Sequence, residues 1–103
     1  PTGRGGSGAA YRYVTIEDDH ARPKANEGDV LAVEPVSRMT VDALYIVDVW
    51  GMPKLMRADI HPFGDEPTVT LSYPNELYHV ETVSLELANA LVLGRPRGLM
   101  ARM

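Results

Sequence analysis

From Tyr11 onward the chain alternates short apolar stretches with polar breaks, about ten residues apart, and that spacing predicts strands. Tyr11-Arg-Tyr-Val-Thr-Ile-Glu17 is rich in aromatic and β-branched residues and stops at Asp18-Asp19. Asn26-Glu-Gly-Asp29 is turn chemistry, followed by Val30-Leu-Ala-Val-Glu34 and a stop at Pro35. Ala43-Leu-Tyr-Ile-Val-Asp-Val-Trp50 is a longer apolar run that turns at Gly51-Met-Pro53, and Lys54 to Ile60 reads as its hairpin partner. His61 to Pro67 holds two prolines and a glycine and reads as a loop. Thr68-Val-Thr-Leu71 and His79 to Ser84 alternate again, on either side of a turn at Ser72-Tyr-Pro-Asn75. In Leu85 to Leu93, Leu87, Ala88, Leu91 and Val92 fit helical spacing, whereas Leu91-Val-Leu93 before Gly94 fits a strand. A short turn leading into a final strand satisfies both. Six or seven short strands with no helix between most of them predict a mainly β, single-domain fold of twisted sheets or partial barrel, not a βαβ protein.

Composition narrows the function classes. At 103 residues there is room for one domain. Apolar residues make up 45% of the chain and charged residues 23%, ordinary for a globular domain. No apolar run approaches the roughly 20 residues of a membrane span. There is no cysteine, hence no disulfide and no thiolate metal site. These features predict a cytoplasmic protein with no membrane partner and no cofactor. The formal net charge is −4, and Arg95, Arg97 and Arg102 stand in a last segment free of acids, so the remainder is more acidic still. Duplex DNA is bound through a basic face that releases counterions, and an acidic domain is a poor direct reader of it. Residues 1–10, with four glycines among their first eight, read as a flexible linker behind another domain or a cloning remnant. Residues 11–96 read as the domain, and residues 97–103 as a solvated basic tail.

Several segments carry a resemblance. Asp18-Asp19-His20-Ala21-Arg22-Pro23, then Glu27-Gly28-Asp29 and the strand that follows, resembles the opening of the LexA-like serine peptidase domain. The family's pattern there is an acid, Ser, Met, any residue and Pro, then Gly-Asp and a short apolar strand. Ala43-Leu-Tyr-Ile-Val, the turn at Gly51 and Leu55-Met56-Arg57 are similar to the family's hairpin, which ends in Val-Lys-Arg. Leu71-Ser72 with Asn75-Glu-Leu-Tyr78 is similar to its Leu-x-Ser-Asp-Asn-Pro-x-Tyr segment. Ala90-Leu-Val-Leu-Gly94-Arg95 is similar to its closing Ile-Ile-Gly-Arg-Val strand. The resemblance runs from about Val14 to Pro96, with its pieces in order.

It implies a serine nucleophile and a lysine base, and both positions depart from the pattern. A serine hydroxyl needs a neighbour to take its proton. A lysine serves only if burial lowers its pKa from about 10.4 toward neutrality. The serine position holds His20 and the lysine position Met56, whose thioether accepts no proton. Lys54, two residues earlier, shares that strand face and is the one substitute base, yet the nucleophile is still missing. Ser37 and Ser72 fall in other turns. His20 is therefore expected as a partly exposed turn residue held by Asp18 or Asp19, and Met56 as core filler. His20, His61 and His79 lack the local spacing of a zinc set. Asp18-Asp19 and Asp65-Glu66 read as solvated acidic pairs.

The resemblance implies the C-terminal pairing domain of a phage or prophage repressor without proteolysis. The domain pairs with itself, operator DNA is met only through an upstream helix-turn-helix outside this chain, and an antirepressor protein is a possible partner. Ala90, Leu91, Val92 and Leu93 are the candidate interface, as a terminal apolar strand that adds to a partner's edge. Two alternatives stay open at this point, a self-cleaving peptidase with residual activity and an accessory interaction module of the polymerase-associated type.

Overall fold

Two glycine-assisted turns organise the strands. Trp50 (φ 55°) and Gly51 (φ 86°) form a two-residue connection with both residues at positive φ, and it joins β3 (Ala43–Val49) to β4 (Met52–His61). Such a turn has the twist that a tight hairpin needs. Gly28 (φ 94°) turns the chain into β2 (Val30–Pro35), which pairs with β1 (Arg12–Thr15). The computed structural model describes residues 11–78 and 80–100. The remaining elements are β5 (Thr68–Ser72), β6 (Glu81–Ser84), α1 (Leu85–Leu91) and β7 (Val92–Met100).

The seven strands of the described residues join one antiparallel sheet, in the order β1-β2-β7-β3-β4-β5-β6. Among the described residues the two ends do not pair, so the sheet is open. The protein is mainly β, as the apolar spacing predicts, and the one short helix among the described residues starts on the Ser84 cap, whose hydroxyl accepts from the Leu87 amide at 3.0 Å. No helix among the described residues is long and apolar enough to cross a membrane.

Both faces of the central hairpin are covered, which explains the unbroken apolar run in β3. Tyr45, Val47, Met56 and Ala58 face one cluster with Val69, Leu71, Val92, Met39 and Ala88 of α1. Ile46 and Leu55 point the other way, into a second cluster with Leu31, Val33 and the Ile16, Ala21 and Ala25 side chains of the β1–β2 connection. That connection is thereby pinned against β4.

The C-terminal segment differs from the sequence reading in two respects. Residues 97–100 belong to β7 and pair with β2 as far as Val30↔Met100, so they are part of the sheet and not a solvated tail. The basic, proline- and glycine-containing run Arg95-Pro-Arg-Gly98 hides a strand because its partner, not its own apolar pattern, holds it. Pro96 is tolerated there at a register shift, where Ala32 pairs with Gly98 and Val33 with Pro96, and interior strands accept proline at such bulges. Arg97, skipped by the ladder, ion-pairs with Glu34.

The second difference concerns Ala90 to Leu93. Ala90 and Leu91 close the helix, Val92 is buried, and only Leu93 of the strand pair keeps appreciable exposure. The strand that follows lies between β2 and β3. A partner strand cannot add at residues 92–94, which bond both neighbours, whereas from Arg95 onward only the ladder to β2 continues. The expected interface at Ala90, Leu91, Val92 and Leu93 is not an available edge. Residues 1–10, the predicted linker, lie outside the described residues, as does His79.

Candidate functional site

Part of the peptidase-like pattern meets at one place, where Asp18, Asp19 and His20 lie with Lys54, Asn75 and Tyr78, while Met56 faces the first core cluster. Ile16, Ala21 and Ala25 anchor the β1–β2 connection in the second cluster, and this leaves Asp18, Asp19 and His20 facing β4 and the turn after β5. The Asp18 carboxylate bridges two cations or potential cations. One oxygen takes the Lys54 ammonium, and the other lies 2.7 Å from His20 Nδ1 and accepts the His20 backbone amide at 3.1 Å. The Nδ1 approach is too bent to count as a hydrogen bond, so this buried nitrogen is held by charge proximity and not by a good donor–acceptor line.

The turn after β5 closes the other side. The His20 ring stacks on Tyr78 at 3.8 Å between centroids and lies 4.6 Å from Tyr73. Asn75 donates twice, its backbone amide to the His20 carbonyl at 3.0 Å and its side-chain amide to the Asp19 carbonyl at 2.8 Å. The Tyr78 hydroxyl donates to Asp19 Oδ1 at 2.6 Å. Two later stretches of chain, at Lys54 and at Tyr73 to Tyr78, are thus joined through residues 18–20.

The electrostatics follow from these contacts. Burial alone raises the Asp18 carboxyl pKa. The hydrogen bonds from Lys54 and from the His20 amide, with the nearby His20 ring and the Lys54 charge, outweigh it and hold the group below its ordinary 3.8. The Tyr78 phenol is pushed up, first by its hydrogen bond to Asp19, then by desolvation and the charges of Asp19 and Asp18.

As to chemistry, Met56 is buried in the first core cluster, 5% exposed, and fills the position expected of it. Lys54 is mostly covered and already engaged by a carboxylate. The notch beside it, lined by Asp18, His20, Ala21, Met52, Pro53 and Lys54 among others, is small, about 10 Å³. The arrangement can clamp a loop but offers no hydroxyl or thiol nucleophile at the His20 position.

The sequence anticipates part of this. His20 is a half-exposed turn residue held by Asp18, as expected. Asp18 and Asp19 are not merely solvated: each has a partner from elsewhere in the chain. Tyr73, Asn75 and Tyr78 were missed. Their one available signal was the likeness of Asn75-Glu-Leu-Tyr78 to a family segment, which carries no hint of contact with residues 18–20. His61 is bound to Thr70 on an exposed face, 2.9 Å away, and does not join His20. Comparison with known protein families, with curated proteins and with solved structures finds no match to this chain.

Proposed function

We propose that this domain is the proteolytically inactive pairing module of a LexA-like, phage-type transcriptional repressor. One observation carries the reading: the turn at the nucleophile position lies beside the strand of the base position, tied by Asp18 and Lys54, yet the turn bears no nucleophile and Met56 stands where the base would. A serine–lysine dyad needs two facing side chains, whereas here His20 stacks on Tyr78 and Met56 turns to the core cluster on the other face of the hairpin. In this reading the fold is kept for association. Two weak DNA readers upstream, each tethered to one copy, meet a two-fold operator at a raised effective concentration.

Sedimentation equilibrium of the chain tests the association, with a reversible dimer expected. Mass spectrometry after prolonged incubation at alkaline pH tests the loss of chemistry. Intact chains are expected, and new internal termini that vanish in Lys54→Ala would establish a peptidase instead. The coding sequence upstream of Pro1 separates a repressor, which has a helix-turn-helix there, from an accessory module, which does not.

A further inference from the structure

The β4–β5 hairpin carries complementary features at its two ends. Its tip, residues 62–67, is exposed throughout and presents Phe63, 90% exposed, beside Asp65 and Glu66. The tip is shaped by Gly64 (φ 111°) and anchored where the Leu85 amide donates to the Pro67 carbonyl at 3.0 Å. At the other end, where Arg57 pairs with Ser72, a hollow of about 320 Å³ is lined by Leu44, Tyr73 and Pro74 with Lys24 and Arg57 at its rim. Arg22 borders a second hollow that shares Pro74 and Glu76 with the first. The rim is not purely basic. Glu76 lies on it, and Arg57 also bonds Asp59 at 3.2 Å. Even so, three cations gather around an apolar floor in a chain of net charge −4.

An exposed aromatic next to two acids matches an apolar hollow edged by cations. The two do not meet within one copy, because they sit at opposite ends of the same hairpin. His61↔Thr68 and Arg57↔Ser72 are four residues apart along the strands, about 13 Å at 3.3 Å per residue. An antiparallel arrangement of two such hairpins sets each tip over the other's hollow. Both contacts then form at once, as a two-fold interface demands.

We propose that a second copy of this chain docks here, with its Phe63 in the hollow and its Asp65 and Glu66 against Lys24, Arg57 and Arg22. The inference rests on the self-pairing reading above and names the surface that performs it. Asp59, His61 and Thr70 form the polar strip between the two contacts, and the charge pairing makes association weaken as salt rises.

Charge-swap variants test it by sedimentation equilibrium, with circular dichroism to establish folding. Asp65→Lys with Glu66→Lys reverses the tip, and Lys24→Glu with Arg57→Glu reverses the hollow. Each variant is expected to dissociate with a constant raised roughly tenfold or more, and an equimolar mixture of the two is expected to regain the wild-type affinity. Phe63→Ser is expected to dissociate without any change of charge. Should Arg57→Glu disturb β4, Lys24→Glu alone, in an exposed loop, replaces it. A wild-type dimer untouched by these changes overturns this interface and leaves self-pairing standing. Two monomeric variants that fail to combine overturn the match of tip with hollow. A wild-type chain that stays monomeric at about 100 µM, near −5.5 kcal/mol of association, overturns both this surface and the self-pairing reading.

Discussion

Tyr45 is fully buried in β3, yet its hydroxyl is well served: it donates to the Val41 carbonyl at 2.8 Å and accepts from the Thr40 and Val41 amides at 3.3 and 3.4 Å. The phenol thus ties the 36–42 connection to the sheet from within. Tyr45→Phe keeps the packing and strips those partners, so a loss of about 1–2 kcal/mol is expected in denaturant unfolding. Asp18 behaves differently because its effect depends on pH. Its carboxyl pKa is depressed in the folded chain, so its stabilisation is complete above the ordinary 3.8 and is lost as pH falls through the folded value. Comparing Asp18→Asn with the parent across pH 2.5 to 7 is expected to show a stability gap that closes toward the acid end. A gap constant over the whole range refutes the contribution of the Lys54 and His20 contacts. That His20 needs an acid neighbour was legible in the sequence, since Asp18 lies two residues away. That Tyr78 covers it was not, because 58 residues separate the two and no local pattern encodes a stacking partner.

At the scale of elements, the β3–β4 hairpin places Trp50 wholly in solvent and at positive φ. A bulky residue in that conformation carries strain, for which asparagine or glycine is better suited. Trp50→Asn is therefore expected to raise the chemical-denaturation midpoint, by up to about 1 kcal/mol in stability, and a drop would show that the indole contributes contacts within the fold. Hairpin strands were readable because two-residue turns and apolar runs are local signals. Strand β7 was not readable beyond Leu93: Gly94, Pro96 and Gly98 look like breakers, and only the neighbour β2 makes them a strand. For the same reason its position inside the sheet was invisible, and the expectation of a free terminal edge failed.

For the whole molecule, two halves meet at β7. On one side stand β1 and β2, on the other the meander β3 to β6. Gly94 sits at the seam, where an added Cβ would lie 2.5 Å from both the Glu34 carbonyl oxygen and Val33 Cγ1. Backbone cannot retreat as a flexible side chain does, so Gly94→Ala is expected to cost about 1–3 kcal/mol or more, read as a lower thermal midpoint with the two halves loosened together. The overall class, mainly β, was legible because strand spacing survives without tertiary information. The clamp around residues 18–20 and the complementary ends of the β4–β5 hairpin were not, since both are products of the third dimension.

The central place of β7 also sets an order of events during synthesis. The strand that unites the sheet is the last of the seven to leave the ribosome. Until Val92–Met100 is made, β2 and β3 each expose an unpaired inner edge, and the nascent chain consists of a two-stranded ribbon and a four-stranded meander with no ladder between them. Such edges are sticky toward other chains. The domain therefore closes late, by insertion of one strand between two waiting ones, and a chain interrupted before Val92 is left with two open edges that seek partners elsewhere.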